Sequence, residues 1–206
     1  KIKRVGDFVR EFSNAAKRRE GKAVAFEEAG RLVSARESYM TASLLWAAGR
    51  WPIFETNDEL EHLEERMNHC YAKFIEHAPH PVEIVRIPFE GKELPAYLHL
   101  PRKPKPGETF PCVVNIPGMD SSKETGVNMY GDSYLERDIA VLSIDGPGQA
   151  ESVALGIYVT NSNHMDAAKV VADWLEAHPS IDSSKLLVRG SSFGTYWGLQ
   201  WAAALG

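Results

Sequence analysis

A strand that runs directly into a helix, with glycines on both sides of the corner, restricts the fold of this chain more than any other feature. The segment KLLVRGSSFGTYWG contains an apolar run of the β type, then the turn from Gly190 to Gly194, then a helical pattern. The two glycines are needed for steric reasons, because side chains there would collide with the helix as it folds back over the strand. Such a corner is typical of a sheet whose strands alternate with helices.

The segments before this corner follow the same rhythm. VEIVRIPF and LPAYLHL flank EGKE and predict an antiparallel hairpin with Gly91 in the turn. PCVVNIPG and IAVLSIDGPG are continuous apolar runs, typical of strands buried on both faces, whereas NMYGDSYLERD and NHMDAAKVVADWLEAHP have helical patterns. Strands that alternate with helices imply right-handed crossovers and a parallel sheet with helices on both faces. The sequence therefore predicts an α/β fold.

The periodicity is different before residue 79. Two long segments, GKAVAFEEAGRLVSARESYMTASLLWAAGRW and ETNDELEHLEERMNHCYAKFIEHAP, have helical spacing. The second offers Asn57 and its neighbours as N-cap candidates and stops at Pro79. We therefore divide the chain into a helical segment, residues 1–78, and an α/β domain, residues 79–206. The apolar stripes predicted for the two helical segments are Phe26, Ala29, Leu32, Val33, Tyr39, Ala42 and Leu45, and then Leu60, Leu63, Met67, Tyr71 and Phe74.

Composition and charge exclude several classes of protein. With 44% hydrophobic and 25% charged residues, the 206-residue chain is globular rather than disordered. A net charge of -5 argues against nucleic acid or an anionic membrane as the main partner, since both select clustered Lys and Arg. No apolar run approaches the roughly 18 residues that span a bilayer, and no signal-peptide core follows the charged N-terminus. We expect a cytoplasmic protein, and a homo-oligomer is left open.

No metal site is predicted from the cysteines and histidines. Cys70 and Cys112 lie in different kinds of segment, without the spacing of a metal site or a disulfide framework. His62, His69 and His77 recur at about seven residues, which is two helical turns and too far for neighbouring ligands. We interpret all five as packed or surface residues.

No cofactor is predicted either. The stretch IDGPGQAE begins like a dinucleotide-binding loop, with Gly146 and Gly148 after a strand. Glu151 stands where a third small residue is needed, and its carboxylate would repel a pyrophosphate. Pro147 also removes one amide donor from the loop. The pattern is therefore interpreted as something other than a nucleotide site.

The corner after KLLVRG matches the G-x-S-x-G nucleophile elbow, with Ser192 at its centre. Ser191 occupies the variable second position and is the weaker nucleophile candidate. The amide of Phe193 would start the helix, where a developing oxyanion is stabilised. A second loop, NIPGMDSS, follows another strand, and its Gly118 permits close approach of the backbone to a ligand. The alternative is that both are ordinary turns between strand and helix.

A family resemblance rests on three motifs that occur in this order: PGMDSSKE, DGPGQAE and HPSIDSSKLLVRGSSFG. They resemble the α/β-hydrolase superfamily, and within it the group that contains 2,6-dihydroxypseudooxynicotine hydrolase, the fungal polyketide-shortening hydrolases and the fermentation-respiration switch protein. The resemblance covers about residues 80–206. Because those relatives carry a helical N-terminal segment over the active site, it implies that residues 1–78 form a helical cap.

The resemblance also implies roles for residues near the elbow. By analogy with the loop after the third strand of such hydrolases, the amide of Met119 is the second oxyanion donor, with Gly118 as the neighbouring alternative. Gly118 and Asp120 are expected to line the pocket. Ala150 and Thr195 stand where the family usually has glycines, and Thr195 adds bulk where the helix crosses the sheet.

The implied chemistry is acyl transfer from a serine, which needs a histidine base and a carboxylate that orients it. In this fold they follow the serine in the order Ser, Asp or Glu, His. No His, Asp or Glu follows Ser192, and His164 is expected to begin its helix rather than to reach the serine hydroxyl. We therefore expect the acid and base beyond residue 206, in a missing C-terminal portion of the same protein that also completes the hydrolase sheet. The seven histidines that precede Ser192 are His62, His69, His77, His80, His99, His164 and His178.

Two functions from different classes are left open. The first is a serine hydrolase that acts on a small-molecule carbonyl substrate, namely an ester, an amide or the C–C bond of a β-dicarbonyl compound. The second is a catalytically silent, hydrolase-like binding or regulatory module. Trp46, Trp51 and Tyr39 either line an aromatic acyl pocket or fill the core of the helical segment.

Overall fold

The computed structural model describes residues 2–4, 6–53, 55–127 and 132–205, and it divides into two compact units, residues 1–79 and 80–206. The described residues of the first unit form three helices, α1 (Gly6–Glu28), α2 (Leu32–Gly49) and α3 (Asp58–Glu76). That the helices act as a cap stays a prediction. Within the described part of the chain, no helix is both long and apolar enough to cross a membrane.

Helix α3 begins and packs as its sequence predicts. The side chain of Asn57 accepts a hydrogen bond from the Leu60 N–H at 2.9 Å, and acidic residues fill the first turn. The apolar positions at helical spacing form its buried face, which is shielded from water within the first unit. These buried residues are Leu60, Leu63, Met67, Cys70, Tyr71 and Phe74.

The stripe predicted across the first helical segment, as one or two helices, is wrong at Leu32 and Val33, whereas its members Tyr39 and Ala42 are buried. Gly30, at φ +70°, ends α1 and resets the helical phase before α2 begins. Leu32 and Val33 consequently lie outside the buried face, with 48% and 61% of their surfaces exposed. Tyr39 and Trp46 are buried in the core of this unit, which agrees with the core alternative for these two aromatic residues.

The second unit contains a mixed five-stranded sheet in the order β1-β2-β4-β3-β5. Strands β1 (Val82–Phe89) and β2 (Lys92–His99) form the predicted hairpin, whose turn residues Glu90 and Gly91 have φ +49° and +72°. β2 pairs antiparallel with β4 (Ala140–Ile144). β3 (Phe110–Ile116) pairs parallel with both β4 and β5 (Ile181–Gly190).

In the described part of this unit, three α-helices accompany the sheet: α4 (Ala150–Ala154), α5 (Asn163–Ala177) and α6 (Gly194–Leu205). Of the helix predicted over residues 128–138, residues 128–131 lie outside the described part, and Leu135–Arg137 form only a short 3-10 turn. The core lies between the sheet and α5 and α6 and is built from strand residues such as Val114 and Leu142 with Trp201 of α6. Parallel pairing brings the carboxyl ends of β3, β4 and β5 to one edge of the sheet, where Ile116 is the register partner of Gly190.

Candidate active site

The corner between β5 and α6 holds Ser192 in a left-handed backbone conformation, with φ +51°. For a residue with a side chain this conformation costs free energy, and it persists only where the surroundings enforce it. The Gly194 N–H donates to the Ser191 carbonyl at 2.8 Å, and the Thr195 N–H donates to the Ser192 carbonyl at 3.0 Å. The turn therefore leads into α6 without an intervening loop, and Ser192 is exposed at its tip.

The two glycines of the corner have no room for a side chain. A Cβ added at Gly190 would lie 2.3 Å from the Gly194 carbonyl oxygen, and one added at Gly194 would lie 2.3 Å from the Pro117 carbonyl oxygen. These are backbone atoms that cannot move aside. Thr195, expected to add bulk where the helix crosses the sheet, instead has an exposed side chain.

The loop after β3 lies directly beside Ser192. A Cβ added at Gly118 would lie 3.1 Å from the Ser192 Cβ and 3.6 Å from the Asp120 Oδ1. Within the described residues, the N–H groups of Met119 and Phe193 donate to no protein acceptor, and both side chains are exposed. The structure thus brings together the residues predicted from the two motifs, while their catalytic roles stay predictions.

His164, the histidine that the sequence places after the DGPGQAE loop, is buried in the first turn of α5 with both ring nitrogens engaged. Its Nε2 lies 2.9 Å from the Pro147 carbonyl oxygen, and its Nδ1 lies 3.2 Å from the Trp201 Nε1. A carbonyl only accepts and an indole N–H only donates, so the ring is neutral with its proton on Nε2. Burial lowers its pKa to about 4, against the opposing effect of the Pro147 carbonyl.

The His164 ring therefore has no free nitrogen for the serine. It stacks on Trp197 of α6, with 4.6 Å between ring centroids, and Trp197 in turn contacts Phe193 edge to face. Among the described residues, no histidine forms a hydrogen bond with Ser192. His164 is instead a packing residue that supports the elbow through Trp197, which contacts Phe193.

A buried charge cluster joins the loops that follow β3 and β4, and sequence reasoning missed it. The Lys123 Nζ lies 2.6 Å from Glu151, 2.8 Å from Glu124 and 3.4 Å from Asp145, and all four side chains are buried. Burial lowers the pKa of Lys123, but attraction to the carboxylates outweighs it, so its pKa lies well above the usual value. Arg86 adds a second cation, 2.6 Å from Glu151.

The only trace of this cluster in the sequence is that Lys and Glu residues lie within the two loop motifs. Backbone contacts add to it: the Lys123 N–H donates to the Asp145 Oδ1 at 2.7 Å, and the Glu151 N–H donates to Asp145 Oδ2 at 3.3 Å. The cluster therefore fixes the β3 loop relative to the β4 loop, on the side of the sheet edge where Ser192 lies.

The loop that begins like a nucleotide cradle uses its amides internally. The Gly146 N–H donates to the Gln149 side chain at 2.9 Å, and the Gly148 N–H donates to the Ile157 carbonyl at 2.9 Å. Its Glu151 is engaged by Lys123. These contacts leave no row of free N–H groups for a phosphate.

One group of metal-binding residue types occurs in the described part of the helical unit, formed by Glu27, Glu76 and His77. The ammonium of Lys73 lies 2.8 Å from Glu76 and 3.4 Å from Glu27, and the His77 Nε2 lies 2.8 Å from the Glu27 Oε1. The hydroxyl of Tyr39 donates to the same Glu27, whose pKa falls to about 2 through this bond and the bond to His77. Cationic and donor side chains of the protein thus already occupy the group.

Comparison with known proteins places the chain in a family. It matches the family described as "FrsA-like: Esterase FrsA-like" over residues 2–202. It is similar to the protein named Esterase FrsA of Photobacterium profundum, with 24% identity over 190 residues that cover 92% of this chain and 44% of the relative. It is also similar to the hydrolyase poxO of Penicillium oxalicum, with 34% identity over 126 residues that cover 58% of this chain and 29% of the relative.

Among solved structures, the 2,6-dihydroxy-pseudo-oxynicotine hydrolase has a similar fold, with a TM-score of 0.77 and 24% identity over 93% of this chain and 52% of that chain. The chain thus spans about half of the length of these proteins or less. The family match, by contrast, covers nearly the whole sequence. The chain therefore belongs to the FrsA-like esterase family, and its fold is that of the α/β hydrolases.

Proposed function

We propose that this chain carries the nucleophile and the oxyanion hole of a serine hydrolase, with Ser192 as the nucleophile. The observation that supports this most directly is the φ of +51° at Ser192, between two glycines that cannot accept a side chain. A strained, exposed serine after a parallel strand is what a nucleophile elbow requires. Gly118 beside the Ser192 Cβ adds a second loop whose backbone can reach the reacting oxygen.

In the proposed reaction, the Ser192 Oγ attacks the substrate carbonyl carbon while a general base removes the hydroxyl proton. The carbonyl π electrons move to the oxygen, and the N–H groups of Phe193 and Met119 stabilise the resulting oxyanion. Collapse of this intermediate expels the leaving group, which takes the proton, and leaves an acyl-serine. A water molecule then releases the acyl group by the same steps and regenerates the hydroxyl.

We place the base and its orienting carboxylate outside the 206 residues. His164, the candidate that the sequence places at this edge of the sheet, uses both ring nitrogens elsewhere. An ester is the favoured substrate, because the matching family and the relative from Photobacterium profundum are named esterases. An amide or the C–C bond of a β-dicarbonyl compound would be cleaved by the same acyl transfer.

The test is labelling of the full-length protein by a fluorophosphonate probe, read by intact mass and by peptide mapping. We expect one label on Ser192, no label in the Ser192→Ala variant, and normal labelling in Ser191→Ala as the matched control. Labelling that persists in Ser192→Ala would show that the assignment is wrong. A folded wild-type protein that takes no label would favour the catalytically silent module.

A further inference from the structure

Gln149 is buried between β4 and α4 and joins two loops through its side chain, with only 1% of its surface exposed. Its Oε1 accepts a hydrogen bond from the Gly146 N–H at 2.9 Å. Its Nε2 donates to the Pro117 carbonyl at 2.6 Å. One side chain thus connects the loop that follows β4 with the loop that follows β3.

The Pro117 carbonyl is held from two sides. Gln149 donates to it, while the Gly194 Cα packs so closely that an added Cβ would lie 2.3 Å from the same oxygen. Because a peptide unit is planar, fixing this carbonyl also fixes the N–H and the Cα position of Gly118. The Ser121 N–H donates to the Gly118 carbonyl at 3.3 Å, which orients the following peptide unit. This peptide unit carries the Met119 N–H, which donates to no protein acceptor within the described residues.

The chemistry of this position demands a glutamine. The Gly146 N–H needs an acceptor and the Pro117 carbonyl needs a donor, and a carboxamide supplies one of each. A glutamate that is ionised supplies only acceptors, so it would face the Pro117 carbonyl with a second negative oxygen. Contact at Gly146 is already close, since a Cβ added there would lie 3.0 Å from the Gln149 Oε1.

We propose that Gln149 is a positioning residue of the oxyanion hole, which holds the β3 loop so that the Met119 N–H faces the oxygen of the carbonyl group whose carbon Ser192 attacks. The inference rests on the proposed function. Gln149 does not touch the substrate; it acts through the Pro117 carbonyl and the peptides that follow. Its loss should therefore lower kcat more than it raises KM, because the oxyanion forms only during the reaction.

The first test compares Gln149→Met with Gln200→Met in the full-length protein, using an activated ester. Gln200 is the matched control, since it lies on α6 and its side chain makes no hydrogen bond within the described residues. We expect Gln149→Met to lower kcat about 10- to 100-fold, because misplacement by about 1 Å costs up to about 100-fold. We expect Gln200→Met to stay within about twofold of wild type, as most substitutions outside special sites do.

The second test is a pH profile of Gln149→Glu, which distinguishes positioning from a general loss of structure. A protonated carboxyl group can again donate to Pro117 while accepting from Gly146, whereas the carboxylate cannot. The ratio of its kcat to that of wild type should therefore rise as the pH falls, while the ratio for Gln149→Met should stay flat. Equal ratios for both variants at every pH would overturn the inference, and so would unchanged kcat in Gln149→Met.

Probe labelling separates this inference from the proposed function. If wild type is labelled at Ser192 but Gln149→Met turns over normally, the inference fails and the proposed function stands. If Gln149→Met is labelled to the same stoichiometry as wild type but turns over slowly, both are supported. If the wild-type protein is not labelled at Ser192, the proposed function fails and the inference fails with it.

Discussion

Replacement of Lys123 by methionine should destabilise the protein strongly at neutral pH. The Lys123 ammonium lies within 2.6–3.4 Å of three buried carboxylates, and Arg86 is a second cation that contacts the cluster among the described residues. These two cations and three carboxylates give the cluster a formal charge of -1, and Lys123→Met makes it -2 although all three carboxylates are buried. Removing one partner of a buried ion pair costs about 3–5 kcal/mol, a large part of the roughly 5–15 kcal/mol that stabilises a typical protein.

The matched control is Lys185→Met, which removes a lysine from a surface pair with Asp182 at 2.7 Å. The Lys185 side chain is 64% exposed, so the expected loss is about 0–1 kcal/mol. The measurement is urea unfolding followed by circular dichroism, with the free energy of unfolding compared between the two variants. A cost for Lys123→Met no larger than that of the control would refute the reasoning.

The sign of the pH dependence provides a second check. In wild type, burial raises the pKa of Glu151, but Lys123 and Arg86 outweigh it, so the pKa lies below its usual value of 4.5. Without Lys123, burial should raise the carboxylate pKa values above those of the unfolded chain, so the folded variant binds protons more readily. Its deficit relative to wild type should therefore shrink as the pH falls from 7 to 5. A deficit that stays constant over this range would contradict the charge argument.

Three further outcomes are expected. Ala150→Gly should stabilise the protein by about 1 kcal/mol in urea unfolding, because Ala150 has a φ of +36° that glycine adopts without strain. Gly194→Ala should prevent folding or cost at least several kcal/mol, because its Cβ would lie 2.3 Å from the Pro117 oxygen, while Gly21→Ala, with open space around it, should be neutral or stabilising. Because of His164, wild type should be about 2 kcal/mol less stable at pH 5 than at pH 7. The pKa of His164 is about 4 in the folded protein and about 6.5 in the unfolded chain, so the unfolded chain takes up the proton first as the pH falls. His164→Gln should lose that part of the pH dependence.

Features set by neighbouring residues were predictable from the sequence. The glycines at positions 190 and 194, the Glu90–Gly91 turn and the capped start of α3 each depend on a few adjacent residues. The approach of the β3 loop to Ser192 was also predictable, because the carboxyl ends of parallel strands meet at one edge of a sheet. The stripe predicted over α1 and α2 failed at Leu32 and Val33 because Gly30 interrupts the helix and changes the helical phase. Counting apolar residues at helical spacing does not detect such an interruption.

Contacts between distant side chains could not be predicted in this way. Lys123 meets Asp145 and Glu151 only because β3 and β4 are neighbours in the sheet, and a single sequence does not say which of its many charges will pair across two loops. The role of Gln149 is still harder to predict, because it depends on the orientation of the side-chain carboxamide. Sequence analysis therefore identified Ser192, the residue proposed to react, but missed Lys123 and Gln149, which hold the neighbouring loops in place.

Ser192 and Ala150 both have left-handed backbone conformations, and both lie in loops at the same edge of the sheet. They differ in whether the strained residue carries a reactive side chain. Glycine would relieve the strain at either position, so on stability alone both should be glycine. At Ala150 nothing reactive is lost by that change, which is why a gain in stability is expected there. At Ser192 glycine would remove the side-chain hydroxyl that the elbow holds exposed at its tip. The strain at Ser192 is therefore consistent with a residue retained for its hydroxyl at a cost in stability, and this supports the nucleophile assignment independently of the motif.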